Sequence, residues 1–113
     1  MTHPEESPLK ISQKTLQSST LLKIEGRLDA TTTPQLNEVI SAVMEANNQP
    51  ILINCSALTY LSSAGMRLLI AATRKHKVSL FSIPSFIMEI IEMAGFTRIL
   101  TIHPQQEDAE AAL

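Results

Sequence analysis

Tryptophan is absent from the sequence, cysteine occurs once, glycine three times, and the aromatic share is only 4%. A single cysteine forms no internal disulfide and supplies no cysteine-rich zinc site, so a reducing, cytoplasmic setting is expected. So few aromatic rings leave no base-stacking surface. Nine Lys+Arg against eleven Asp+Glu give a net charge of −2, with no excess of positive charge to neutralise phosphates, and no nucleic-acid partner is expected. Long apolar runs are missing as well. None approaches the roughly 20 residues of a bilayer span, so membrane insertion is not expected. Met1 to Lys10 is polar, carries two prolines and does not read as a signal peptide.

What the sequence does contain is 113 residues, 44% of them hydrophobic and 18% charged, which is material for one domain around one core. Residues 1–8 read as a flexible lead-in and 9–113 as the domain. Leu9, Ile11 and Leu16 suggest a first strand, Ser18-Ser19-Thr20 a turn, and Leu22 to Gly26 a second strand with period-2 alternation, ended by Gly26. Thr31-Thr32-Thr33-Pro34 opens a helix, with threonine as N-cap and proline at the first helical position. Its apolar stripe is Leu36, Val39, Ile40, Val43 and Met44, and Asn47-Asn48-Gln49-Pro50 stops it. Ile51-Leu52-Ile53 reads as a central strand buried on both faces. Ser56 to Ser62 reads as a loop, and a second helix starts at Ser63. Val78 to Ile83 predicts a strand. Ile87, Ile90, Ile91 and Ala94 predict the inner face of a third helix, with Gly95 just past its end. Ile99 to Ile102 predicts a last strand and Gln105 to Leu113 a short acidic helix. The order ββαβαβαβα implies an α/β domain: a mixed sheet with an opening hairpin, later parallel strands, and helices packed against it.

The stretch that invites chemistry is Asn54 to Arg67, which leaves the carboxyl end of the most buried strand and enters a helix, where open α/β sheets gather ligands and partners. Ser62 fits an N-cap, which accounts for one serine but not for Ser63, Ala64 and the early Gly65. A hydrolase built on Ser63 lacks a GxSxG elbow and would need His3, His76 or His103 as base, and none is placed for it by the sequence. Cys55 reads as a small buried apolar residue, and the methionines as packing filler. No His or Cys spacing suits a metal, and no glycine-rich loop suits a phosphate, so no metal site, catalytic residue or resident cofactor is expected.

Three segments resemble the STAS domain of bacterial anti-sigma-factor antagonists. Gly26-Arg27-Leu28-Asp29-Ala30 followed by Thr33-Pro34-Gln35-Leu36 is similar to the family's G-[RE]-L-D entry. Leu58 to Arg67 resembles its phosphorylation loop, and Glu89 to Phe96 its C-terminal helix ending in Gly-Phe. The resemblance runs from about residue 10 to 110. It implies the STAS fold, monomeric when free, and a partner-switching task. Such a protein binds an anti-sigma-type switch serine kinase so that the kinase releases its target. It is switched off when that kinase, using its own ATP, phosphorylates it. A PP2C-type phosphatase with its own metal reverses the change.

Aligned on Gly65, the family's Asp-Ser-Ser/Thr-Gly becomes Ser62-Ser63-Ala64-Gly65. The resemblance therefore implies Ser63 as acceptor, with Ser62, in the aspartate position, as a competing one. It implies a partner-binding set of Asp29, Ser62, Ser63, Ala64, Gly65, Met66 and Arg67, while Asp29 also reads as a loop-to-helix cap. Two rival functions stand beside this one: a non-phosphorylated accessory STAS subunit of a lipid-transport complex, and a serine hydrolase.

Overall fold

A computed structural model describes residues 8–113, so the lead-in expected at residues 1–8 lies, apart from Pro8, outside the described residues. The elements are β1 (Leu9–Thr15), β2 (Thr20–Leu28), α1 (Thr33–Asn47), β3 (Ile51–Leu61), α2 (Ser63–Lys75), β4 (Val78–Phe81), α3 (Ser85–Met93), β5 (Thr101–His103) and α4 (Gln106–Ala111). This is the expected ββαβαβαβα order. The five strands lie in one sheet in the order β1-β2-β3-β4-β5. β1 and β2 form the antiparallel hairpin, closed where Leu16 N donates to Ser19 O at 2.8 Å, and the other pairings are parallel.

The apolar periodicity sorts the helices onto the two faces. Leu36, Ile40 and Val43 of α1, Leu69 and Ala72 of α2, and Ile87 and Ile91 of α3 share one core with Leu22, Ile24, Ile51 and Ile53. On the opposite face Leu52 and Phe81 pack with Ala109 of α4, and Leu21 flanks them. Alternation along Ile51-Leu52-Ile53 thus serves both faces, as a fully covered strand requires. No helix among the described residues is long and apolar enough to cross a membrane.

The largest departure from the expectation is at Ser56–Leu61, which is strand and not loop. β3 runs 11 residues and stays paired with β2 through two register shifts, so that Glu25 lies opposite Ala57, Arg27 opposite Tyr60 and Leu28 opposite Leu61. The shifts break the alternation that a pattern search depends on. Gly26 likewise marks an irregularity and not a strand end. Its φ is +106°, a Cβ there would overlap Pro8 O, and Arg27 N donates to that same oxygen at 2.8 Å.

Smaller corrections follow from local geometry. β4 stops at Phe81 because Ser82 takes a left-handed φ of 54°, and the last strand shifts to Thr101–His103, where it pairs with Ser79–Phe81. Thr32 holds the N-cap position of α1 but is already helical, at φ −99° and ψ −19°, and its side chain makes no capping bond. Pro34 is the second helical residue and not the first. In α3 only Ile87 and Ile91 are buried. Ile90 is 40% exposed and Ala94 is exposed, so the inner face is one narrow i, i+4 pair. Gly95 follows the helix as expected. Its N–H donates to Glu92 O and that of Phe96 to Ile91 O, the double bond of a glycine-ended helix.

Candidate functional site

The site forms where β2 and β3 both end and α2 begins. Ser62 is the N-cap of α2, with extended backbone at φ −89° and ψ 170°, and its Oγ accepts from Gly65 N at 3.1 Å. Ser62 N donates to Leu28 O at 2.9 Å, which ties the cap to the end of β2. Its hydroxyl is therefore occupied as an acceptor and the residue is half-buried. Ser63, the first helical residue, is exposed. No acidic residue stands in the first turn, so the partial positive charge of the helix start is not offset there.

Gly65 and Met66 lie inside. A Cβ on Gly65 would stand 2.8 Å from Leu28 Cγ, and Met66 is 5% exposed. These two shape the face from beneath, while Ser63 and Arg67 stand on it and Ala64 is half-buried between them. Between α2 and α3 runs an open groove of about 380 Å³. Leu61, Met66, Ile90, Ala94 and Phe96 make it apolar; Ser62, Ser63 and Arg67 form its polar rim on the α2 side.

Asp29 is turned into its own loop. Its Oδ1 accepts from Thr31 Oγ1 at 2.7 Å, Thr31 N at 3.0 Å and Thr32 N at 3.1 Å. These bonds, led by the Thr31 hydroxyl, hold its carboxyl down at about 2. Thr32 Oγ1 donates to Arg27 O at 2.8 Å and accepts from Asp29 N at 2.9 Å, and Thr33 Oγ1 donates to Asp29 O at 2.7 Å. Asp29 thus organises the entry to α1, the capping alternative that its sequence position left open.

A feature absent from the sequence reading sits beside it. The Arg27 guanidinium lies 4.2 Å from the centre of the Tyr60 ring, and Arg27 Nε is 3.4 Å from Asp29 Oδ2. The signal was unreadable because Tyr60 fell in the supposed loop, whereas the shifted β2–β3 register places it opposite Arg27.

Among the described residues no hydrolytic machinery assembles here; His3, one of the three candidate bases, lies outside them. No histidine lines the groove among the described residues. His76, just past the far end of α2, has Nε2 2.7 Å from Gln49 O, and His103 lies in β5. Cys55 is buried, and burial pushes its thiol up to about 12, far from a nucleophilic thiolate. Among the described residues no three His, Cys, Asp or Glu side chains are grouped to hold a metal.

A five-stranded mixed sheet with three helices on one face, and an exposed serine at the helix start where its longest strand ends, define a small α/β domain with a polar-rimmed groove. The chain belongs to the STAS domain family, whose model matches residues 10–109. It is similar to BtrV of Bordetella bronchiseptica, a candidate anti-sigma factor antagonist, with 20% identity over 109 residues covering 92% of this chain and 94% of that one. Its fold resembles that of an anti-sigma factor antagonist from Mycobacterium paratuberculosis, with a TM-score of 0.83 at 22% identity, covering 99% and 97% of the two chains. It also resembles the Bacillus cell fate determinant SpoIIAA in its phosphorylated form, with a TM-score of 0.66 at 14% identity, covering 92% and 100%. At these identities the structural likeness establishes the fold.

Proposed function

We propose that the protein is an anti-sigma factor antagonist of the partner-switching kind, a regulatory binding module and not an enzyme, with Ser63 as its phosphorylation switch. The observation that carries this reading is the division of labour between two adjacent serines. Ser62 spends its hydroxyl on the helix cap, whereas Ser63 stands exposed at the first helical position. The names of the similar proteins, one of them in a phosphorylated form, support it.

In this reading the unmodified face binds a switch serine kinase, which then lets go of its target. The Ser63 oxygen attacks the γ-phosphorus of the kinase's ATP. A new O–P bond forms, the bond to ADP breaks, and the hydroxyl proton passes to a base of the kinase. The product adds −1.5 to −2 charge at neutral pH. A helix N-terminus tolerates that anion, so the fold persists and the disruption falls on the partner face. A loss of about 3 kcal/mol there weakens binding more than a hundredfold. ATP and metal belong to the kinase and to a PP2C-type phosphatase that resets the switch.

The test is phosphopeptide mapping after incubation with a candidate switch serine kinase from the same organism and ATP, paired with calorimetric binding of variants. Phosphate is expected on Ser63. Ser63→Asp is expected to weaken kinase binding, and Ser63→Ala to bind and resist release. Phosphate on Ser62 alone moves the acceptor by one residue. Phosphate on neither, with binding unchanged in Ser63→Asp, removes the switch and leaves the accessory-subunit function.

A further inference from the structure

We propose that Arg67 is the internal partner of modified Ser63: the phosphate folds back along α2 and pairs with the Arg67 guanidinium, withdrawing the one cation that the described residues place on the rim of the groove. The inference rests on the reading of Ser63 as acceptor and adds a second residue to the switch.

Ser63 and Arg67 are four positions apart on one continuous helix, which brings their Cβ atoms to about 6 Å. Long helical side chains lean toward the helix N-terminus, so Arg67 leans toward Ser63 and not away from it. An anion placed four residues before a cation is also the favourable order for such a pair. Both residues are exposed and both line the groove.

Among the described residues Arg67 makes no side-chain hydrogen bond or ion pair, and the first turn of α2 offers no carboxylate to compete for it. Arg27, by contrast, is already engaged with Tyr60 and Asp29. Arg67 is the single charged residue among those lining the groove, whose α3 side presents Ile90, Ala94 and Phe96. Beside apolar walls an ion pair is less screened than in open water. The planar guanidinium can grip two phosphate oxygens at once, which a lysine ammonium cannot match. Before modification the rim carries one free positive charge that a partner's acidic group can meet. Afterwards that charge is spent internally and the rim carries net negative charge.

The experiment places phosphoserine at position 63 during translation in the full chain and follows the second phosphate ionisation, ordinarily near 6, by phosphorus NMR. Arg67→Gln is expected to raise that pKa by about 0.2–0.4 units over the phosphorylated wild type, the size an i, i+4 ion pair supports. Arg67→Lys is expected to recover part of the difference, and Arg74→Gln, which removes the same charge near the far end of α2, to leave the pKa at its wild-type value. In the unsubstituted chain the Arg67 Nε–H resonance is expected to shift and sharpen only when Ser63 is phosphorylated. Equal titration of wild type and Arg67→Gln, an equal shift in Arg74→Gln, or an unmoved Arg67 resonance overturns the pairing. Because translation installs the phosphate, the titration judges the pairing whatever the kinase modifies, and the kinase mapping judges the acceptor.

Discussion

Leu28 occupies the space that a side chain on Gly65 would need: a Cβ at position 65 would lie 2.8 Å from Leu28 Cγ and 2.9 Å from Leu28 O. Leu28 O also accepts the Ser62 amide. The end of β2 and the start of α2 are therefore held by one residue, which ties the exposed face around Ser63 to the Gly26-Arg27-Leu28-Asp29 segment.

Gly65→Ala is expected to destabilise the protein despite improving helix propensity by up to about 1 kcal/mol. Overpacking against Leu28 costs about 1–3 kcal/mol and is the larger effect. Urea unfolding measures the net loss. Adding Leu28→Ala relieves the Cγ contact but not the one with the carbonyl, so the double variant is expected to lose less than the sum of the two single changes. Strict additivity would contradict the contact.

Ser62→Ala is expected to cost about 1 kcal/mol, because Gly65 N loses its acceptor. Ser62→Asp supplies another strong N-cap at the position where the family loop carries aspartate, and adds a charge that suits the helix start. Its unfolding midpoint is expected to equal or exceed that of wild type. A Ser62→Ala variant as stable as wild type would show that the hydroxyl bond contributes nothing.

Asp29 makes stability depend on pH at the acid end. Its carboxyl sits at about 2 in the folded chain, below the ordinary value of about 4. The stabilisation is thus fully present above about 4 and is lost as pH falls through about 2. Denaturant midpoints measured from pH 5 to pH 2 are expected to fall less steeply in Asp29→Asn than in wild type. Parallel curves would mean that the Thr31 and Thr32 bonds do not favour the ionised form.

Cys55 is expected to resist a thiol reagent at pH 8 in the native protein and to react fully, one thiol per chain, in denaturant. Rapid native labelling would show that the middle of β3 opens readily.

The local elements were legible because backbone geometry prints its own period into the sequence. Leu36, Ile40 and Val43 repeat at the spacing of one helix face, and all three are buried. Ile51-Leu52-Ile53 announced a strand covered on both sides, and Ser62 announced the cap at the start of α2. The three motif segments in order identified the family. None of this required knowing which strand lies beside which.

Contacts between distant segments were not legible. The extension of β3 to Leu61 depends on β2 staying paired with it through two register shifts, and with it the stacking of Arg27 on Tyr60. The outward turn of Ile90 depends on how little of α3 the sheet can cover, which leaves that side chain to wall the groove beside Ser63. The need for Gly65 is written at Leu28, 37 residues earlier. Sequence alone determined the order of the elements, the family and the pair of serines, since these follow from local periodicity and local chemistry. Only the tertiary structure decided that β3 stays paired with β2 as far as Leu61, that Arg27 stacks on Tyr60, and that Arg67 stands unpaired at the rim among the described residues. Each of those depends on whether a neighbour brought in by the fold is close enough to pair.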